Sequence, residues 1–180
     1  LDGKHKKIKL TSIMRDTYVP IPGKQDNRIN AADAMGGPAL AIRTINENFG
    51  MNIEKYVTVD FVSLEKIIDQ LGGVEVDVKD YELEHLNGLI RSMNNLNRHQ
   101  NESPLVQRTG RQRLDGRQAV AYSRIRKVGN GDFERTDRQR AILKSLIEEG
   151  AAVDLWEISS LLSNVLPEVE TNFTKNEILK

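Results

Sequence analysis

The sequence predicts an α/β protein with helices layered on a sheet. Two observations carry this. Short β-rich runs alternate along the chain with segments whose apolar residues recur at helical spacing. The length of 180 residues, with 38% hydrophobic and 29% charged side chains, suits one compact domain, 1–180, with a real core.

Taken in order, KIKLTSIM (residues 7–14) alternates and is β-rich, which predicts a first strand ending at Arg15-Asp16-Thr17. YVPIPGKQDN is a loop punctuated by Pro and Gly. RINAADAMGG predicts a short helix closed by Gly36-Gly37, and Pro38 suits the first position of the next helix. That helix carries Leu40, Ile42, Ile45 and Phe49 on one face. KYVTVDF predicts a second strand. SLEKIIDQLGG predicts a helix with Ser63 as N-cap and Gly72 as C-cap. VEVDV (residues 74–78) alternates strictly, as a third strand should. Residues 79–113 break the rhythm. They are polar and rich in Asn and Arg, and read as a loose helix with a long surface excursion. RQRAILKSLIEEG predicts a helix with Ile142, Leu143, Leu146 and Ile147 inward. DLWEISSLLSNVLPEV predicts another, and TKNEILK opens a last one.

The composition excludes several chemistries. Without cysteine there are no disulfides, thiolate metal sites or Cys nucleophile. No apolar run is long enough to span a bilayer, and no signal peptide opens the chain. The opening LDGKHKKIKL reads as a strand entered in mid-stride, so a fragment of a longer protein is expected. His5, His85 and His99 show no metal spacing. There is no G-x-S-x-G, and Gly36-Gly37-Pro38 lacks the residues of a Walker loop.

Charge is neutral overall but uneven. Residues 108–140 hold ten Lys and Arg against four acids, so that segment is +6 and the remainder −6. This pattern fits a local polyanion site better than a uniformly basic nucleic-acid binder. Asp115 and Gln118 form a capping-box pattern, which predicts a short helix over GRQAVAYS. If Arg-Ile-Arg leaves that helix extended, Arg124 and Arg126 point the same way, roughly 7 Å apart, a spacing suited to a pyrophosphate. A second capping box, Thr136 to Gln139, is expected to open the long helix and offer an anion site at its first turn, with Arg135 and Arg138 beside it. Asp132 lies between the arginine pairs, placed to orient or deprotonate a hydroxyl, or simply to pair with an arginine. Arg15-Asp16 ends the first strand, where α/β sheets gather ligands, or else closes a turn as an ion pair.

SIMRDTYVPIPG, INAADAMGGPALAIRTINENFG, YVTVDF, LGGVEVDV, LDGRQAVAYSRIR and GDFERTDRQR together, in order from about residue 7 to residue 147, strongly resemble the LytR-CpsA-Psr family. The resemblance implies a layered α-β-α sandwich with a central mixed sheet, lacking the N-terminal part of the domain. It implies a phosphotransferase moving a phosphate-linked glycopolymer, such as wall teichoic acid or capsule, from an undecaprenyl-pyrophosphate carrier to peptidoglycan. By motif match, Arg15, Arg124, Arg126, Arg135 and Gln139 fall on pyrophosphate-holding positions, and Asp132 on the acid beside them, as general base or orienter. Mg²⁺ is implied, with ligands upstream of this chain. The resemblance also implies a membrane anchor outside residues 1–180 and a location on the outer face of the cytoplasmic membrane of a Gram-positive-type bacterium. Met14 stands where the family usually has Pro, and Asp33 where an aromatic is common. Two other readings stay open: a nucleic-acid-binding transcriptional attenuator, and a non-catalytic polyprenyl-phosphate binder. No helix-turn-helix pattern or aromatic stacking set supports nucleic acid as a partner.

Overall fold

The structure is a computed structural model describing residues 8–96, 102–126, 128–129, 132–152, 163–174 and 177. In chain order its elements are β1 Tyr18–Val19, β2 Asn27–Arg28, α1 Ala31–Phe49, β3 Val57–Thr58, α2 Phe61–Gln70, β4 Val74–Val78, α3 Asp80–Leu96, β5 Gly110–Leu114, α4 Gly116–Ser123, α5 Asp132–Ala152, a 3-10 turn Leu166–Glu168 and β6 Glu170–Thr171. The α/β class holds. Among the described residues the strands form three antiparallel ladders, β1–β2, β3–β6 and β4–β5. No described helix is long and apolar enough to cross a membrane. The chain divides into two compact units, Leu1–Thr58 with Glu170–Lys180, and Val59–Val169.

In the first unit, residues 8–14 form no strand. Ile8 and Leu10 are exposed, and no described strand pairs with the segment, so its alternation has no ladder to join. The loop expected after Thr17 is a small hairpin instead, with Tyr18 opposite Arg28. α1 breaks where the Gly pair predicts: Gly36 and Gly37 leave helical geometry, Gly37 at φ +67, before Pro38 restarts the helix. Gly50 ends it in the left-handed conformation, its N–H bonding Asn46 O. The second predicted strand shrinks to Val57–Thr58, paired with Glu170–Thr171.

The second unit holds the larger core: Ile68, Val74, Val78, Leu86, Ile90, Leu114, Val120 and Ile125 are almost wholly enclosed. α4 packs against α2, α3 and α5, and α5 also packs on β4. α2 begins two residues before Ser63. Asp60 is its cap and accepts Ser63 N–H at 2.7 Å, which holds the Asp60 carboxyl below its ordinary range. Two further expectations fail within residues 79–113. α3 is a regular helix of 17 residues burying Leu86, Ile90 and Met93, and Gly110–Leu114 is a strand in register with β4, Val74 opposite Leu114. Two asparagines of α3 hold the backbone at Ser103 and Val106. Asn87 exchanges two hydrogen bonds with the backbone of Val106, both 2.9 Å, and Asn94 does the same with Ser103. Ile142 is buried as expected. Leu143 and Ile147 face outward instead, leaving Ser145 inward to accept Glu75 N–H at 2.8 Å.

α4 forms with its capping box as predicted: Asp115 accepts Gln118 N–H, and Gln118 Oε1 accepts Asp115 N–H at 3.0 Å. Every residue of this helix is buried. Its first residue must be glycine for a reason of space: a Cβ at Gly116 would lie 2.0 Å from the Glu65 carbonyl oxygen. Backbone on α2 cannot yield as a side chain can. Gly116→Ala is therefore expected to lose about 1–3 kcal/mol or more. An unchanged urea midpoint would show that the two helices separate freely.

Candidate functional site

α4 ends at Ser123, and Arg124 is its C-cap, its N–H bonding the Ala121 carbonyl at 3.0 Å while Ile125 N–H bonds that of Tyr122 at 3.3 Å. The chain then leaves the helix, and Ile125 turns into the core, 1% exposed. That inward anchor leaves the arginines on either side of it free to face outward. Arg124 and Arg126 line one cavity of about 490 Å³, with Glu84, His85, Gly88 and Leu89 of α3 as the other wall. The Arg124 guanidinium also stacks over the Phe61 ring, 5.1 Å from its centroid, on the first residue of α2. Arg124 is in helical rather than extended geometry, so the extended run on which the shared direction of Arg124 and Arg126 depends is not formed, and both residues line the same cavity.

The remaining predicted residues are placed differently. Arg135 is 7% exposed on α5, and Gln139 is exposed on the same helix; neither is among the residues lining the cavity. Arg15 belongs to the first unit. Its Nε sits 3.5 Å from Asp16 Oδ2, and Arg28 Nη1 reaches Asp16 Oδ1 at 3.3 Å, so it forms the turn-closing ion pair that was one of its two readings. Asp132 is the first residue of α5, and its side chain lies outside the described residues, as do Lys127, Asn130 and Gly131. The helix begins four residues before Thr136, so the predicted Thr136–Gln139 cap is interior and the helix N-terminus lies at Asp132. His5 and His99 also fall outside the described residues.

Arg138 is the largest departure. It was expected to face an anion; instead its side chain is 3% exposed and all its partners are protein groups. Nε donates to Glu82 Oε1 at 2.6 Å, Nη1 to the Ile125 carbonyl at 3.0 Å, and Nη2 to Glu134 Oε2 at 2.9 Å. Tyr122 lies beside this cluster. Burial pushes its phenol far above its ordinary value, with Glu82 adding to the rise, so it stays neutral. His85 and Glu84 line the cavity although the sequence marks neither as a candidate there, and Phe61 supports Arg124 from beside it.

The cavity therefore offers two guanidinium side chains, an imidazole and one carboxylate beside the partly buried Leu89. Such a lining suits an anionic head joined to an apolar body. Among the described residues no group of three or more His, Asp or Glu could hold a metal ion.

A family model described as the LytR_cpsA_psr family matches residues 1–180. The chain belongs to the LytR_cpsA_psr family. Among other members, it is 35% identical over 150 residues to the regulatory protein MsrR of Staphylococcus aureus, covering 82% of this chain and 41% of that one. It is 34% identical over 182 residues to the polyisoprenyl-teichoic acid–peptidoglycan teichoic acid transferase TagV of Bacillus subtilis, covering 98% and 44%. The crystal structure of B. subtilis TagV matches with a TM-score of 0.77 at 33% identity, over 99% of this chain and 65% of that chain. A structure of TagT bound to LI-WTA matches with a TM-score of 0.71 at 26% identity, over 93% and 58%. The LytR_cpsA_psr chain described here spans less than half the length of the MsrR and TagV sequences.

Proposed function

We propose that this chain is part of a phosphotransferase that moves a phosphate-linked glycopolymer of the teichoic acid type from an undecaprenyl-pyrophosphate carrier to peptidoglycan. The observation that carries the reading is the pair Arg124 and Arg126 lining one cavity with Leu89. Two guanidinium forks match the two phosphates of a pyrophosphate, and Leu89 suits the start of a lipid tail. The names of TagV and of the E. faecalis transferase TagU, 30% identical over 184 residues, support the same reaction class. In that reaction a peptidoglycan hydroxyl attacks the sugar-side phosphorus, and the bond from it to the bridging oxygen breaks. Undecaprenyl phosphate departs with that oxygen. Asp132 takes the hydroxyl proton. The arginines stabilise charge developing on the phosphoryl oxygens. Arg15, Arg135 and Gln139 belong to this proposal as further pyrophosphate contacts, Mg²⁺ as a cofactor with ligands outside residues 1–180, and the outer face of the cytoplasmic membrane as its place of action.

The test is affinity for farnesyl pyrophosphate. A contact to a charged group is worth about 1.5–3 kcal/mol, so Arg124→Ala should weaken binding about 10- to 150-fold. Parental affinity in both Arg124→Ala and Arg126→Ala would refute the assignment. Tight binding of duplex DNA by the parent protein would favour the regulatory reading suggested by the name of MsrR.

A further inference from the structure

Arg138, with its side chain 3% exposed, is bonded to the segment that carries the two cavity arginines. Arg138 reaches three acceptors on three different segments. One is the Ile125 carbonyl, the peptide unit between Arg124 and Arg126. A second is Glu82, 4% exposed, whose other oxygen accepts Lys79 N–H at 2.8 Å where α3 begins. α3 supplies the opposite cavity wall, Glu84 to Leu89. The third is Glu134, whose carboxylate lies against the backbone of Gly129: a Cβ there would fall 1.9 Å from Glu134 Oε1. Gly129, at φ +64, holds a backbone conformation that favours glycine.

We propose that Arg138 is a positioning residue: its buried fork sets the separation and aim of Arg124 and Arg126 relative to α3, and so the fit of a pyrophosphate between the two walls. The inference rests on the reading of Arg124 and Arg126 as the pyrophosphate pair. A buried ion cluster is a poor way to add stability, since well-packed apolar groups commonly do as well. A planar fork meeting three acceptors is a good way to fix a geometry, and lysine cannot reproduce it, having one nitrogen in place of three.

The experiment measures farnesyl pyrophosphate affinity of the full chain in Arg138→Lys, in Arg124→Ala/Arg126→Ala, and in the combination, with thermal unfolding of each. Arg138→Lys keeps the charge and should still weaken binding about tenfold, whereas in the doubly substituted background the same change should matter less than about twofold, because groups acting through a shared element are not additive. An equal effect in both backgrounds overturns the proposal, since a merely structural role would not depend on the two arginines. If Arg124→Ala/Arg126→Ala binds as tightly as the parent, the pyrophosphate reading itself fails and takes this inference with it. Should Arg138→Lys not fold, Glu134→Ala decides by sign. Removing a nearby negative charge should tighten anion binding on electrostatic grounds alone, so weaker binding supports the clamp, and unchanged or tighter binding overturns it.

Discussion

Asp132→Asn is expected to lower glycopolymer transfer by about 10²–10⁴ while leaving pyrophosphate affinity equal or higher. The substitution keeps the side chain's shape and a hydrogen-bonding oxygen but removes its charge and basicity. Asp132 opens α5, three residues before Arg135 and six before the buried Arg138 that holds the Ile125 carbonyl. An acid there repels a polyanion in the ground state, so its loss cannot weaken binding by charge. In the proposed reaction it accepts the proton of the attacking hydroxyl only as the phosphorus–oxygen bond forms, so its loss should fall on rate. Arg124→Ala has the opposite signature, a loss of affinity. A single-turnover assay with saturating lipid-linked donor separates the two. Transfer by Asp132→Asn at the parental rate would show that the acid is only a helix-opening residue, and a protein with no transfer to lose would be a carrier.

How much of this was legible in the sequence depends on whether the signal was local. The Asp115–Gln118 box, the Gly36-Gly37-Pro38 break and the strict alternation of Val74–Val78 depend on neighbours within a few residues, and each formed as expected. β5 was missed because Gly110–Leu114 buries only Leu114 fully and reads as a polar, basic run. A signal was present but lay across the ladder: Arg111 stands opposite Asp77 and Arg113 opposite Glu75, acid against base at alternate rungs. α3 was underestimated for a related reason. Its asparagines look like loop residues, yet Asn87 and Asn94 bind the backbone of the returning chain in place of a strand.

The candidate site divides the same way. Arg124 and Arg126 line one cavity because the buried Ile125 between them turns inward, a local pattern that sequence shows. Arg138 was misread because sequence shows charge but not burial. Its partner Glu82 lies 56 residues away, and only folding makes the two a pair. The Thr136 to Gln139 spacing matched a cap but had no break in the helix before it, so α5 runs through. A capping motif is informative only where the chain has a reason to begin.

The largest stability effect is expected at a second buried pair, Arg117 with Glu65, which joins α4 to α2 and so supports the helix that ends at Arg124. The side chains are 7% and 9% exposed, with Arg117 Nε 3.3 Å from Glu65 Oε2 and Nη1 2.9 Å from Asn94 Oδ1. Arg117→Met keeps most of the volume and strands the carboxylate, which should cost about 3–5 kcal/mol. The loss should depend on pH, and the sign follows from Glu65. Burial raises its carboxyl above the ordinary 4.5, Arg117 pulls it down, and Asp69 and Asp115 add to the rise. A raised value means that the folded protein holds the proton more tightly than the unfolded chain. Stability is then highest below about 4.5 and falls as pH climbs through the folded value. Without Arg117 the opposing pull is gone, the folded value moves further up, and this window widens. Urea midpoints of parent and Arg117→Met should therefore differ most at alkaline pH and converge as the medium is acidified toward the ordinary carboxyl value of 4.5 and Glu65 takes up its proton. A deficit of the same size at both would mean that the stranded charge is not what destabilises the variant, and that the packing of the Arg117 stem carries the effect instead.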